Sequence, residues 1–264
     1  MKKIAYILLF IIPLTLSAQD SIPANERISF MQSPDATKIA ADSAYANGDY
    51  SSAIAIYENI LGKEGEAAEI YYNLANAYYR NEEIAKSILN YERALLLAPG
   101  DNDIRFNLAL ANSKIVDKVS EGYQIFFVNW LYALINTFSM TAWAIMGIIS
   151  FVLLLAALLF FLFNRNVTIR KIGFATAFVM LFFTIFANLS ALHQYHNLTN
   201  RVEAIILSPS VTAKSTPSES GTNLFVIHEG RKVTISDDAM NSWKEIELED
   251  GTVGWIPSSA LERI

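Results

Sequence analysis

Two stretches of this chain, 122–164 and 172–192, contain no lysine, arginine, aspartate or glutamate. Such residues abound on a water-exposed surface and are costly in hydrocarbon, so uncharged runs of this length point to lipid as their solvent. Composition agrees: 53% of the 264 residues are hydrophobic and 17% charged, against about 45–50% and about 25% in soluble domains. As one helix, residues 125–163 would measure about 58 Å, nearly twice a hydrocarbon core of roughly 30 Å. The stretch is therefore expected to divide. Within 123–138, Phe127, Trp130, Leu131, Leu134, Ile135 and Phe138 recur at helical spacing beside Asn129, Tyr132 and Asn136, the pattern of an amphipathic helix lying at the membrane surface. Residues 140–163 and 172–192 are then the two spans.

Two signals fix the expected orientation. Lys2 and Lys3 precede an apolar run over 4–16, followed by Ser17, Ala18 and Gln19, which is the form of a secretory signal, 1–18, cut after Ala18. The connection 164–171 holds Arg165, Arg170 and Lys171 and no acid, and positive charge in a short loop marks the cytoplasmic side. Both place the segments flanking the spans outside, on the periplasmic face of an inner membrane. Inside the spans the strongest polar candidates are Thr184, Asn188 and Ser190. Small residues gather on one face of each helix, among them Gly173, Ala177 and Ala187 in the second and Ala144, Gly147 and Ser150 in the first. Such stripes are read as helix pairing.

Ahead of the spans the chain repeats itself. Asn73-Leu74-Ala75-Asn76-Ala77 is echoed by Asn107-Leu108-Ala109-Leu110-Ala111, and Ala53-Ile54-x-x-Tyr57-x-x-x-Leu61 by Ser87-Ile88-x-x-Tyr91-x-x-x-Leu95, both at 34 residues. A period of 34 resembles the tetratricopeptide repeat, a pair of antiparallel helices. Tyr71, Leu74, Ala75 and Tyr78 match that family's first-helix signature, and Ser87, Tyr91, Ala94 and Pro99 its second. The repeat region is placed at 25–118, with a first repeat over 34–66 and a third unit reduced to one helix within 102–117. The first repeat departs from the pattern at Ala44 and Gly65, where an aromatic and a proline are usual. The resemblance implies a concave binding wall of Lys38, Asp42, Tyr45, Tyr72, Asn76, Tyr79, Arg80, Phe106, Leu110 and Lys114, rich in tyrosine and suited to a peptide or helix. The competing expectation is that Tyr72, Tyr79 and Phe106 pack against the membrane-proximal segment that follows.

After Arg201 the code changes to short β-rich runs at 202–207, 211–214, 224–228, 232–236, 243–248 and 252–256, separated by turn residues. The run Glu249-Asp250-Gly251-Thr252-Val253-Gly254-Trp255-Ile256-Pro257-Ser258, with Trp243 opening the preceding strand, resembles the end of a bacterial SH3 domain; 201–264 is expected to fold as an all-β SH3-like barrel. Trp243, Trp255 and Pro257 are its candidate contact residues. Ala260 stands where proline-helix-binding grooves carry tyrosine, which argues against that ligand. Peptidoglycan contact is what resemblance to the bacterial versions implies; a docking or purely structural barrel is the expectation favoured over it.

Other function classes find no support. A net charge of -6 gives no basic footprint for nucleic acid. With no cysteine there is no thiol nucleophile or thiolate metal site. His193 and His196 lack a third ligand nearby, and no phosphate loop, nucleophile elbow or zinc-protease motif occurs. No enzyme, cofactor or metal is expected. The order of signal, tetratricopeptide repeats, interfacial helix, two spans and bacterial SH3 domain resembles the BatE-type family of the Bacteroidetes aerotolerance operon. That resemblance implies partnership with membrane proteins bearing von Willebrand A domains and a MoxR-class ATPase, in stress tolerance or envelope maturation. The expected function is a membrane scaffold; the alternative is a cell-wall sensor whose SH3-like domain contacts peptidoglycan.

Overall fold

The computed structural model describes residues 34–117 and 126–264; the expected signal, 1–18, lies outside them. Five helices come first: α1 (Pro34–Ala46), α2 (Tyr50–Glu64), α3 (Ala68–Arg80), α4 (Ile84–Leu97) and α5 (Asn102–Asn112). Local chemistry marks their ends. The Asp49 carboxylate accepts from Ser52 N at 3.1 Å and opens α2, and the Asp101 carboxylate accepts from Asp103 N and Ile104 N and opens α5. Each satisfies amide groups that a helix start leaves without partners.

The 34-residue echo is a packing echo. Ala53 and Ser87, and likewise Tyr57 and Tyr91, are equivalent positions, and all four are at most 2% exposed. Ala75, also fully buried, sits where α3 meets α4, and its carbonyl accepts from Ser87 Oγ at 2.9 Å. Small side chains there let the helix backbones approach, and the tyrosines fill the space on either side.

Three further helices follow: α6 (Phe126–Ile135), α7 (Met140–Phe163) and α8 (Val167–Thr199). α7 and α8 are long and apolar enough to cross a membrane. α6 is shorter than the expected 123–138: it ends at Ile135, and residues 123–125 lie outside the described chain. α8 also runs beyond the expected second span, 172–192, at both ends. The connection to it is only 164–166, and Arg170 and Lys171 belong to α8 rather than to a loop. The Asn166 side chain caps the helix start through Thr168 N at 2.9 Å, and no proline or glycine pair interrupts it before Asn200. At 33 residues α8 runs about 50 Å, so it outruns a bilayer core and carries His193, Gln194 and His196 past the start of α7.

The C-terminal region is a seven-stranded antiparallel sheet, ordered β3-β2-β6-β5-β4-β1-β7. The strands are β1 (Glu203–Ile206), β2 (Ser210–Lys214), β3 (Asn223–His228), β4 (Lys232–Asp237), β5 (Trp243–Glu247), β6 (Val253–Pro257) and β7 (Leu261–Arg263). The sheet is open, with β3 and β7 at its edges. Its inward residues nonetheless form one cluster, in which Ala204 and Ile206 of β1 join Ala213 of β2 and Ile227 of β3, so the sheet curls round a single core. Six strands lie within two residues of the expected runs. β7 is an addition to them; it follows the short 3-10 turn Ser258–Ala260.

The sheet docks on the repeats. Ile205, on the face of β1 opposite that core, and Ile264 join Ile88, Leu89 and Ile104 in one buried cluster. Ion pairs surround this apolar centre. Arg201 donates twice to the Glu66 carboxylate, at 2.6 and 2.5 Å. Arg93 reaches Glu262 at 2.8 Å, and Lys232 lies between Glu92 and Glu203 at 3.1 and 2.7 Å. His228 N donates to Asp117 Oδ2 at 2.7 Å, with its ring nitrogen 2.9 Å from Oδ1. Hydrogen bonding to Arg201 holds Glu66 below the usual carboxylate range. Partial burial raises Asp117, but hydrogen bonds from His228 outweigh it and leave the group below its ordinary value.

Candidate protein-binding site

The wall expected from the repeat pattern is built by α1, α3 and α5, the first helices of successive units. At its α1 end, Lys38 pairs with Asp42 at 2.8 Å and with Glu69 at 3.0 Å. Asp42 also accepts from Tyr57 Oη at 2.5 Å. Burial pushes Asp42 up, yet the hydrogen bonds from Lys38 and Tyr57 prevail and hold it ionised below its ordinary value. The carboxylates of Asp42 and Glu69 raise Lys38. Burial, then Asp42, push the Tyr57 phenol up. Asp42, Tyr45, Tyr57, Asn73 and Asn76 line an open hollow of about 240 Å³.

Tyrosines and cations continue along the wall. Tyr45 meets the Tyr50 ring edge-on at 5.4 Å, and the Arg80 guanidinium lies 5.0 Å above that same ring. Tyr72 packs beside Tyr91 and accepts from Asn107 Nδ2 at 2.7 Å, and Tyr91 Oη donates to Asn76 Oδ1 at 2.5 Å. Lys114 stands 4.3 Å over Tyr79. Phe106 and Leu110 are 70% and 43% exposed.

The predicted residues therefore divide in two. Tyr72 and Tyr79 also pack against the repeat core, so their size serves folding as well as any contact. Phe106 and Leu110 spend apolar surface on water, and such surface is the informative kind. No hydrogen bond or ion pair among the described residues joins the wall to the sheet. The sheet instead occupies α4 and the Ile115–Asp117 segment beyond α5, a docking that the sequence pattern does not announce. Its one signal is Ala204-Ile205-Ile206, three consecutive residues with 0% exposure.

The remaining candidates lie apart. Trp243 opens β5 opposite Pro257 of β6, and Trp255 pairs with Glu245 on one side and Lys214 on the other; all three are half-buried. Val253, Leu224 and Val226 are exposed on outward positions of β6 and β3. His193 packs beside Tyr132 at 5.4 Å, and His196 faces Asn200. Among the described residues no three of histidine, cysteine, aspartate and glutamate gather as a metal site would require.

Residues 40–104 match the tetratricopeptide repeat family. The match covers α2, α3 and α4 and parts of α1 and α5, and takes in all of the echo except residues 107–111. Repeats of this family imply a protein–protein interaction scaffold. No curated protein matches the chain.

Proposed function

We propose that this protein is a membrane-anchored adaptor: two spans hold the repeats and a curled SH3-like sheet on the periplasmic face of the inner membrane, and the repeat wall captures other integral membrane proteins. The observation that supports this reading most is the division of labour on the repeats. Docking occupies α4, and the wall on α1, α3 and α5 keeps Phe106 and Leu110 exposed at its α5 end and the paired charges of Lys38 and Asp42 at its α1 end. Aromatic and aliphatic anchors in a polar rim are what interaction surfaces use. The protein acts by assembly rather than catalysis. The partners suggested by resemblance are von Willebrand A-domain proteins with a MoxR-class ATPase, in aerotolerance or envelope maturation.

Purification of the full chain from native membranes in mild detergent tests this reading. Phe106→Ala combined with Leu110→Ala should lose at least one co-purifying integral membrane protein and leave the melting temperature unchanged, since both side chains are exposed. An unchanged set of partners would reject the wall. A second reading, contact with peptidoglycan, draws on the outward apolar residues Val253, Leu224 and Val226 beside Trp255. Sedimentation with purified wall material that is lost on Trp255→Ala would favour it.

Orientation has its own measurement. The chain has no cysteine, so an added one is labelled without background. Ser113→Cys and Ser218→Cys should react with an impermeant reagent on intact spheroplasts, and Asn166→Cys only after the membrane is opened. Labelling of position 166 in intact spheroplasts would overturn the two-pass orientation.

A further inference from the structure

α8 presents two neighbouring seams, each with alternating steps of three and four residues. Ala177, Met180, Thr184, Ala187, Ala191 and Gln194 form the first; all are buried or half-buried. It packs against α7, where Ser150 Oγ and Thr184 Oγ1 lie 2.8 Å apart. One residue further along lies the second: Phe178, Leu181, Ile185, Asn188, Leu192 and Tyr195, every one exposed. A 3.5-residue period is the spacing at which two helices stay in contact over their length.

Asn188 sets this second seam apart from an ordinary lipid-facing surface. One N–H of its carboxamide donates to Thr184 O at 2.8 Å. The other N–H and the oxygen have no partner among the described residues. A Cβ built on Gly147 of α7 would lie 3.0 Å from Asn188 Nδ2. Gly147 is the eighth residue of α7, about 10 Å from its start, so the carboxamide sits at hydrocarbon depth. There, polar groups without partners are costly and side-chain amides join helices.

We infer that α8 pairs in parallel with α8 of a second copy of this chain, with Asn188 hydrogen-bonded to its own counterpart. Copies inserted in the same orientation are related by an axis along the membrane normal, so identical residues meet at identical depth. A carboxamide is both donor and acceptor; Asn188 is therefore complementary to itself, whereas an unrelated helix would need its own polar group at that level. Successive residues point about 100° apart, so the two seams let α8 contact α7 on one side and its copy on the next. A single asparagine in an apolar seam also fixes register and partner number.

This inference rests on the membrane reading of α7 and α8, and its test separates the two. Single cysteines at Leu181, Ile185 and Leu192 on the second seam, and at Phe182 and Leu189 off it, are oxidised in native membranes. Seam positions should form homodimers; off-seam positions should not. In the Ile185→Cys background, Asn188→Leu should lower the dimer about tenfold, the equivalent of ~1.4 kcal/mol, and Asn188→Gln should restore most of it. Equal crosslinking on and off the seam, absence of dimer at every position, or a crosslink to a protein of different mass would overturn the inference. Release of the chain by alkaline carbonate would overturn the membrane reading itself, whereas a retained but uncrosslinked chain removes the pairing alone.

Discussion

Replacing Gly230 by alanine is expected to detach the sheet from the repeats. Gly230 turns the chain between β3 and β4 at φ +82°, and a Cβ there would meet Ile115 Cγ2 at 2.5 Å and Ile88 Cδ1 at 3.1 Å. Left-handed backbone costs a residue with a side chain about 1–2 kcal/mol. Overpacking at a closed contact costs about 1–3 kcal/mol more. Gly251 supplies the control: its φ is +83°, and a Cβ added there would find nothing within 4 Å. Gly251→Ala should therefore show the backbone penalty alone. Spin labels at Ala55→Cys and Ser220→Cys report the separation of the two regions, which should broaden for Gly230→Ala and stay narrow for Gly251→Ala. Equal behaviour would mean that the turn backbone, not the contact with Ile88 and Ile115, is what matters. The encircling ion pairs are not expected to hold the regions together unaided, because partly exposed pairs contribute only about 0–1 kcal/mol each.

That docking also marks the point where the sequence stops being legible. Helix positions in the repeats can be read because Ala53, Tyr57 and Leu74 have the same packing duty as their counterparts one period later. Strand positions can be read from turns such as Glu229-Gly230 and Glu249-Asp250-Gly251. The second burial surface of β1 cannot. Ala204-Ile205-Ile206 breaks the inward–outward alternation of a strand covered on one side, and a strand covered on both reads as a continuous apolar run. In a β-rich region that signal is easily taken for an ordinary strand. The start of α8 is not legible for another reason: Arg170 and Lys171 look like loop charges, yet long basic side chains are readily accommodated near the start of a helix. On the candidate wall, repeat spacing names Tyr72 and Tyr79 together with Phe106 and Leu110. Spacing alone does not separate residues that pack from residues that protrude. Asn188 is visible as a polar residue in a span, but its direction is not, since α8 is apolar on nearly every face.

Trp143→Ala should disconnect the repeats from the spans. Trp143 is 3% exposed at the start of α7, donates its indole N–H to Ile135 O at 2.7 Å, and meets Phe138 and Phe186 edge-on at 5.4 and 5.5 Å. Gln194 of α8 donates to the same Ile135 carbonyl and to Phe138 O, at 2.8 and 2.9 Å. The end of α6 and both long helices therefore converge on one side chain. Directly beyond it, Arg105 of the repeats donates to Asn136 O at 3.2 Å, and Gly100 lies so close to Thr137 O that a Cβ would overlap it. Truncating a buried tryptophan to alanine costs about 3–5 kcal/mol in a core. Trp143→Phe keeps an aromatic ring and removes chiefly the hydrogen bond, at about 1 kcal/mol. Hydrogen exchange over 126–139 should accelerate strongly for the alanine variant and slightly for phenylalanine, with exchange in α3 and α4 unchanged in both. If neither variant alters protection in α6, the turn is held by the Gln194 and Arg105 contacts instead. If both accelerate it equally, the indole hydrogen bond rather than the packing fixes the repeats to the long helices.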